Sequence, residues 1–340
     1  MKKALVVGYF GYVTNQLDGQ TVKTREIYNL LNKKEFLSCE FIDTQSYKYN
    51  KLSFIQTIYK IIKTKYLIYL PGKKNLLYLF PLFYLLAVFS GTTIIYPIVG
   101  GWLSEYLTKY PFLKFLLKRI KILLSESIEL KKQLENIHGF KNVEWFPNFR
   151  SGDFPSLSYR ELNSNSFKIV YMGRIIKEKG IDEIFKLCKE LNKQNDIKYT
   201  IDFYGSNQYS KFEQLLKEST NVYYKGELQN DKIHDTLKYY DLMLLPTYYD
   251  GEGFPGSIID AYLVNMPVIC SKWKFLPELV IHGVTGYVYD LNTPNKLLEY
   301  VIKISHSETL YNQLREGAYN MGMNFTEEKA WNILKKHINE

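Results

Sequence analysis

Short apolar runs alternate with amphipathic stretches along almost the whole chain. In the first half, six apolar runs predict strands, and stretches with helical periodicity fill most of the intervals between them. A polar segment rich in Pro, Ser, Gly and Asn at 147–166 interrupts the alternation, which then restarts with six more strands. This rhythm is typical of parallel, doubly wound α/β sheets, so we predict two Rossmann-like domains in series.

The predicted elements place the site residues on loops. The predicted strands are 3–8, 38–43, 66–70, 93–98, 121–125, 142–146, 167–172, 199–204, 221–224, 241–245, 267–270 and 286–289. The predicted helices are 20–32, 52–63, 76–89, 102–119, 127–137, 180–193, 208–219, 230–239, 257–265, 293–304, 307–321 and 326–338. We divide the chain into domains 1–150 and 151–325 and expect a helix in 326–340 to pack back toward the N-terminal domain. Ligands of such sheets bind at the carboxyl ends of the strands.

Charge is distributed unevenly along the chain. Residues 1–150 hold 22 Lys/Arg against 10 Asp/Glu, whereas residues 151–340 hold 22 against 25, for an overall charge of +9. The basic half indicates an anionic partner. No helix-turn-helix, zinc-finger or RNP-like motif supports nucleic acid. The three cysteines are far apart and odd in number, which favours buried thiols in a reducing cytosol over disulfides or zinc.

The segment 75–104 carries no charged residue and is long enough to span a bilayer. Pro81, Gly91 and Pro97 interrupt it, and Ser90-Gly91 resembles a turn. We therefore favour a buried helix followed by a buried strand, with membrane insertion as the alternative.

A glycine-rich turn with two cations follows the first strand of the second half. Gly173 permits the turn, Arg174 offers a planar fork for phosphate oxygens, and Lys179 adds a point charge before a helix that starts near Gly180. The helix start supplies N–H donors and a positive dipole end. Such a loop can bind a diphosphate, although a solvated basic turn would have the same sequence.

A second loop follows the strand 241–245 and carries two acids. Glu252 lies between two glycines, where we do not expect it to support the core, and Asp260 lies in the first turns of the next helix. The N–H groups of 253–257 can meet hydroxyls or phosphate. Separately, each acid is explained as a turn residue or a favourable charge near a helix start. The spacing of the pair is far more specific.

These motifs, in this order, resemble those of the family 4 retaining glycosyltransferases. The matching residues are Gly173-Arg174, Lys179-Gly180, Glu252-Gly253-Phe254 with Asp260 eight positions on, Pro267-Val268-Ile269, and the segment from Glu278 to Gly286. The resemblance implies the GT-B fold, in which two Rossmann-like domains face a cleft, and transfer of a sugar from a nucleoside diphosphate with retention of configuration.

The resemblance also implies roles for individual residues. Arg174 and Lys179 would neutralise the donor diphosphate, and Glu252 would hold the donor sugar. Asp260 would bind the ribose, a role that the family usually gives to Glu. The other implied donor-binding residues are Gly19, Gln20, Gly173, Gly205, Leu228, Gly253, Phe254, Pro255 and Gly256.

The N-terminal half departs from the family pattern. Many members have a histidine after the fourth strand, whereas this chain has Gly100, Gly101 and Trp102 there, which we expect on the acceptor side. None of the five histidines falls in a predicted site loop. The sequence contains no Asp-x-Asp and no cluster with metal-ligand spacing, so we expect neither a cofactor nor a metal.

A basic, apolar segment at 110–124 predicts a helix that could lie on an anionic membrane surface. Its cations are Lys114, Lys118, Arg119 and Lys121. A core helix with solvent-facing lysines is the alternative.

Together these features predict a cytoplasmic hexosyltransferase, with a peripheral position on the inner face of the cell membrane left open. The donor is expected to be a UDP-sugar, and the acceptor a glycan or lipid-linked glycan of bacterial surface polysaccharide, such as capsule. A GT-B subunit that binds a sugar nucleotide without catalysis is the main alternative. A nicotinamide oxidoreductase is disfavoured because the chain lacks GxGxxG.

Overall fold

A computed structural model of the chain describes residues 1–14, 19–194, 196–293 and 295–338. The chain divides into two compact units. The N-terminal unit comprises Met1–Ser151 and the segment from Thr326 onward, and the C-terminal unit comprises Gly152–Phe325. The boundary lies one residue from the predicted division at 150.

The N-terminal unit contains a six-stranded parallel sheet of order β2-β1-β3-β4-β5-β6. Its strands are β1 (Lys2–Gly8), β2 (Leu37–Asp43), β3 (Tyr66–Leu70), β4 (Thr93–Pro97), β5 (Ile122–Ser125) and β6 (Val143–Trp145). Its helices are α1 (Gly19–Asn32), α2 (Lys51–Lys63), α3 (Lys73–Tyr78), α4 (Phe80–Ser90), α5 (Leu103–Lys109), α6 (Pro111–Leu117), α7 (Ile128–Asn136) and, after the C-terminal unit, α15 (Glu327–Leu334).

Helices cover both faces of this sheet because the strand order reverses at β1. One core cluster joins α1 and α15 to alternate residues of the strands, including Ile27 and Leu334. The other joins α2, α4, α6 and α7 to the opposite face, through residues such as Ile61, Phe83 and Leu117. The outer surfaces of α2, α4 and α6 therefore all point away from the same face of the sheet.

The C-terminal unit repeats this design with the strand order β12-β11-β10-β7-β8-β9, again all parallel. Its strands are β7 (Ser166–Met172), β8 (Lys198–Tyr204), β9 (Val222–Tyr224), β10 (Leu242–Leu245), β11 (Val268–Ser271) and β12 (Gly286–Tyr289). Its helices are α8 (Ile181–Leu191), α9 (Phe212–Lys217), α10 (Ile233–Leu237), α11 (Gly256–Leu263), α12 (Leu276–Leu279), α13 (Lys296–Ser305) and α14 (Glu308–Gly322). The predicted doubly wound α/β class is confirmed for both units.

Two predicted helices are each divided by the structure. The predicted helix 76–89 consists of α3 and α4, and the predicted helix 102–119 consists of α5 and α6. Tyr110 stands between α5 and α6, where Pro111 cannot continue the preceding helix because its nitrogen carries no hydrogen. Pro111 instead occupies a first-turn position of α6, which suits proline.

The charge-free segment 75–104 is not a transmembrane helix. It forms most of α3, all of α4, the strand β4 and the start of α5, in agreement with the favoured interpretation. Across the part of the chain that the structure describes, we find no helix with the length and apolar character needed to cross a bilayer.

Candidate active site

The loops at the carboxyl edge of the C-terminal sheet approach one another closely at two glycines. A Cβ atom at Gly180, where φ is +78°, would lie 2.0 Å from the carbonyl oxygen of Pro246. A Cβ atom at Gly205, where φ is +133°, would lie 2.0 Å from the carbonyl oxygen of Gly173. Both positions therefore require glycine for steric and conformational reasons. The loop that carries Arg174 and Lys179 is consequently held against the loops that follow β8 and β10.

Lys179 and Glu252 form an ion pair, with 2.6 Å between Nζ and Oε2. The Thr247 hydroxyl donates a second hydrogen bond to Oε2 at 2.9 Å. The exposed fractions of the two charged side chains are only 12% and 7%. Glu252 is therefore a buried, partnered carboxylate, and the expectation of a turn residue outside the core is wrong. The burial arises because its glycine-flanked loop folds back over Thr247.

Tyr249 lies beside both cations of the site. Its ring centroid is 5.2 Å from the guanidinium carbon of Arg174 and 5.6 Å from Lys179 Nζ, within the range of cation–π attraction. Its carbonyl oxygen accepts a hydrogen bond of 2.9 Å from Trp273 Nε1. Arg174 itself is exposed, so its guanidinium is available to a ligand from solvent. The sequence analysis assigned no role to Tyr249 or Trp273, since neither belongs to a charged motif.

The first N–H groups of α11 have no side-chain cap and can donate hydrogen bonds to oxygen atoms of a ligand. Its N-cap is Pro255, which has no side-chain acceptor for the first N–H groups of the helix. Phe254 is buried and packs edge-on against Phe325, at 5.8 Å between centroids. Gly253 and Gly256 lie half-buried on either side. The predicted segment 253–256 thus lies beside Glu252 at the first turn of α11.

Asp260 has a histidine partner that the sequence analysis missed. Its Oδ1 atom lies 3.0 Å from Nε2 of His234, which belongs to α10, and the ring of Phe154 packs edge-on against that imidazole at 5.1 Å. His234 lies on the helix α10 and not on a predicted site loop, so the sequence did not place it beside Asp260. The packing of α10 against α11 brings together these two residues, which lie 26 positions apart along the chain. Asp260 is only 2% exposed.

The two remaining predicted residues of this unit lie on neighbouring loops. Gly205 follows β8 and donates its N–H to the carbonyl oxygen of Gly226 at 2.9 Å. Leu228 is half-buried in the segment after β9, just before a short 3₁₀ turn at Asn230–Lys232.

In the described part of the first loop of the N-terminal unit, residues 9–14, a carboxylate accepts two backbone hydrogen bonds. The backbone N–H groups of Phe10 and Tyr12 donate to the two oxygens of Asp43 at 3.1 and 3.0 Å. Gly19, the first residue of α1, is exposed, and Gln20 Nε2 lies 3.5 Å from the carbonyl oxygen of Leu70. These residues follow the carboxyl end of strand β1.

A buried ion pair supports the loop at Gly100, Gly101 and Trp102. Lys23 Nζ lies 2.9 Å from Glu126 Oε1, and the other oxygen of Glu126 accepts the N–H of Gly100 at 2.9 Å. Burial lowers the pKa of Lys23, an effect that the charge of Glu126 opposes. The signal in the sequence is an acid placed immediately after strand β5. Removing one partner of such a pair costs about 3–5 kcal/mol.

The predicted basic helix at 110–124 is shorter than expected. The helix α6 ends at Leu117, and Ile122 begins β5, so only Lys114 lies on the helix. Lys118, Arg119 and Lys121 follow it, and the Arg119 guanidinium packs over the Phe115 ring at 3.4 Å. The chain turns here because Ile122 to Leu124 pair with β4 in the sheet.

No metal centre is evident in the residues that the structure describes, where no three His, Cys, Asp or Glu side chains form a group that could hold a metal ion.

With this geometry established, the chain can be compared with known proteins. Residues 159–321 match the family Glycosyl transferases group 1. The segment 159–321 is therefore a glycosyl transferase group 1 domain. The matched region lies within the C-terminal unit and contains Arg174, Lys179, Glu252 and Asp260. The resemblance to family 4 glycosyltransferases is thus confirmed.

The chain is similar to two bacterial proteins over about half of its length. One is an uncharacterized 41.2 kDa protein in the cps region of Klebsiella pneumoniae, 28% identical over 164 residues, which are 48% of this chain and 43% of the relative. The other is the capsular polysaccharide biosynthesis glycosyltransferase CapM of Staphylococcus aureus, 25% identical over 189 residues, which are 53% and 48%. The chain therefore spans less than half the length of each relative in the matched region.

A solved structure is similar over nearly the full length. The Anabaena protein HepE in complex with UDP superposes with a TM-score of 0.71 and covers 99% of both chains at 14% identity. At that identity the likeness concerns the fold, and the chain has the GT-B fold.

Proposed function

We propose that this chain is a retaining hexosyltransferase that uses a UDP-sugar. It would transfer the sugar to a hydroxyl of a glycan or lipid-linked glycan in polysaccharide biosynthesis, on the cytoplasmic side of the membrane. The observation that carries the proposal is that the Lys179–Glu252 ion pair and the exposed Arg174 both lie beside the Tyr249 ring, at the carboxyl edge of the C-terminal sheet. The UDP complex of HepE and the capsule-related relatives support the choice of donor and pathway.

Arg174 and Lys179 would bind the donor diphosphate. A lysine ammonium has three N–H donors, so Lys179 can keep its bond to Glu252 while it donates to a phosphate oxygen. The exposed Arg174 can approach the phosphates with a bidentate fork. As the sugar–phosphate bond breaks, negative charge develops on the leaving diphosphate, and these fixed cations would stabilise it. This arrangement supplies the charge without a metal ion.

Glu252 would act on the sugar rather than on the phosphates. Among the described residues, both hydrogen bonds to its carboxylate reach Oε2, from Lys179 and from Thr247. These two donors fix the orientation of the carboxylate, so that Oε1 can accept a sugar hydroxyl. The negative charge would also stabilise the positive charge that develops at the anomeric carbon. We propose that the departing phosphate accepts the proton of the attacking hydroxyl.

A sugar-nucleotide-binding subunit without catalysis is the alternative function. The same Lys179, Arg174 and Glu252 would bind the donor in either case, so binding alone does not separate the two. Turnover separates the enzyme from the non-catalytic subunit, because an active transferase can hydrolyse its donor slowly even when no acceptor is present.

The test has two steps. Thermal unfolding of the pure protein is measured with a panel of UDP-, GDP-, dTDP- and ADP-sugars, and we expect the UDP-sugars to raise the Tm most, because a ligand stabilises by mass action. Release of UDP from the best donor is then followed over time. Stabilisation with no UDP release, alone or with glycan acceptors, would support the non-catalytic subunit. No stabilisation by any sugar nucleotide would overturn both functions.

A further inference from the structure

The N-terminal unit exposes an apolar stripe along α2. Leu52, Ile55, Tyr59 and Ile62 follow the spacing of a single helix face, and each is 50–64% exposed. The opposite face of α2 is buried against the core through Ile61 and its neighbours. A helix that carries an apolar stripe on its solvent side as well as on its core side has a second partner.

The neighbouring helix α4 carries a matching stripe. Its outward residues are Leu82, Leu85, Val88 and Phe89, and Phe89 is 88% exposed. No residue of α4 is charged. The α2 and α4 helices pack on the same face of the sheet, where Phe54 and Phe83 meet at 6.2 Å between ring centroids. The two stripes therefore form one apolar face on the outside of the unit, which α6 extends with Phe112 and Phe115.

The stretch of chain that forms this apolar face is rich in cations and poor in acids, although Lys60 of α2 pairs with Glu40 from outside that stretch at 2.5 Å. Between residues 44 and 125, the sequence contains twelve Lys/Arg and a single acid, Glu105. On α2, Lys51 and Lys63 are exposed and flank the apolar stripe. Lysine side chains in this position can place their ammonium groups at the level of lipid phosphates while their methylene stems lie along apolar surface.

A groove of 630 Å³ opens at one end of the apolar face. Its lining is mostly apolar, with Tyr47, Phe54, Ile55 and Leu79, and includes the two lysines Lys51 and Lys74. The helices α2 and α3 begin here, after strands β2 and β3, so the groove lies toward the carboxyl edge of the sheet. This is the edge that carries the loop of Gly100.

We infer that the apolar face of α2, α4 and α6 docks onto an anionic phospholipid bilayer. The positive charge of the face favours a bilayer over a second copy of the chain. A second copy of the chain would bring the same lysines to the interface and repel, because a two-fold contact pairs a surface with itself. An anionic bilayer complements the lysines and accepts the apolar side chains. The α4 helix has 11 residues, too few to cross a bilayer, so it would lie along the surface.

The protein would thus dock through the three helices α2, α4 and α6 together, and not through the single basic helix expected at 110–124. The inference rests on the proposed function only in that a lipid-linked acceptor would be held at the same surface. Vesicle binding and donor hydrolysis are measured separately, so one can fail without the other.

The test uses the full chain and vesicles of phosphatidylcholine, with or without phosphatidylglycerol, in co-sedimentation at low and high salt. We expect binding only to the anionic vesicles, weaker at high salt because surface charges are screened within about 10 Å at 0.1 M. Lys51→Gln with Lys74→Gln should weaken binding about 25-fold, roughly fivefold for each lysine. Leu85→Ser with Phe89→Ser should weaken it by about tenfold or more.

Matched substitutions in the C-terminal unit serve as controls. Lys189→Gln with Lys217→Gln removes the same charge, and Val284→Ser removes an exposed apolar side chain, so both should bind like the wild type. Unchanged Tm and unchanged UDP release would show that the test variants are folded. Three results would overturn the inference: no binding of the wild type to anionic vesicles at low salt, equal losses in the controls, or sedimentation as a dimer that Phe89→Ser dissociates.

Discussion

Lys179 Nζ lies 2.6 Å from Glu252 Oε2, although 73 positions separate the two residues along the chain. Each was assigned to the donor from its own motif, one to the phosphates and the other to the sugar. Their contact means that the two assignments are coupled. A substitution at either position removes the ion-pair partner of the other side chain.

Glu252→Gln should lower both turnover and stability. We expect a fall in UDP release of about 100-fold or more, because the charge opposite the developing positive centre is lost. The free energy of unfolding should fall by about 1–3 kcal/mol, since the buried Lys179 ammonium loses its anionic partner. Urea unfolding and UDP release measure the two effects.

The double variant Glu252→Gln with Lys179→Met provides the control for this pair. If the ion pair is coupled, the double variant should be more stable than the sum of the single losses predicts. Additive losses in stability would contradict the coupling. Wild-type turnover in Glu252→Gln would mean that the carboxylate serves only the fold.

Arg174→Ala should weaken UDP binding by about 1.5–3 kcal/mol, the range for a hydrogen bond to a charged group. The protein should fold normally because Arg174 is exposed. Titration calorimetry measures the affinity. Lys177→Ala, which removes an exposed cation from the same loop, is the matched control and should bind UDP as the wild type does. Equal affinities for the Arg174 variant and the wild type would remove Arg174 from the diphosphate site.

Asp260→Ala should abolish discrimination between UDP and 2′,3′-dideoxy-UDP. If Asp260 binds the ribose hydroxyls, the wild type should prefer UDP by about 1.5–3 kcal/mol, and the variant should bind both nucleotides equally. Because Asp260 is buried against His234, its effect on stability is followed by thermal unfolding. His234→Ala, which keeps the carboxylate, should retain the preference. A preference that persists in Asp260→Ala would assign the carboxylate to the fold.

Donor hydrolysis should survive excess EDTA. The prediction rests on the lack of Asp-x-Asp in the sequence and on the two cations, which can balance the leaving-group charge without a metal. The rate of UDP release is compared with and without chelator, on protein dialysed beforehand. Loss of activity with EDTA and recovery with magnesium or manganese would contradict it.

The sequence by itself determined the class of fold and the position of the donor loops. Apolar runs such as 66–70 become buried strands, and amphipathic stretches such as 20–32 become helices, because burial and helical periodicity act locally. Gly173 could be identified as a turn glycine for the same reason. The motif spacing from Arg174 to Asp260 was sufficient to indicate the family.

Only the tertiary structure decided which side chains meet. The pairs Lys179–Glu252, His234–Asp260 and Lys23–Glu126 join residues 26 to 103 positions apart, and no local pattern encodes such contacts. The burial of Glu252 also depends on tertiary contacts. The sequence suggested a turn position, but its loop packs over Thr247 and removes the carboxylate from solvent. The apolar face of α2, α4 and α6 likewise exists only because three helices with exposed apolar residues pack on the same face of one sheet.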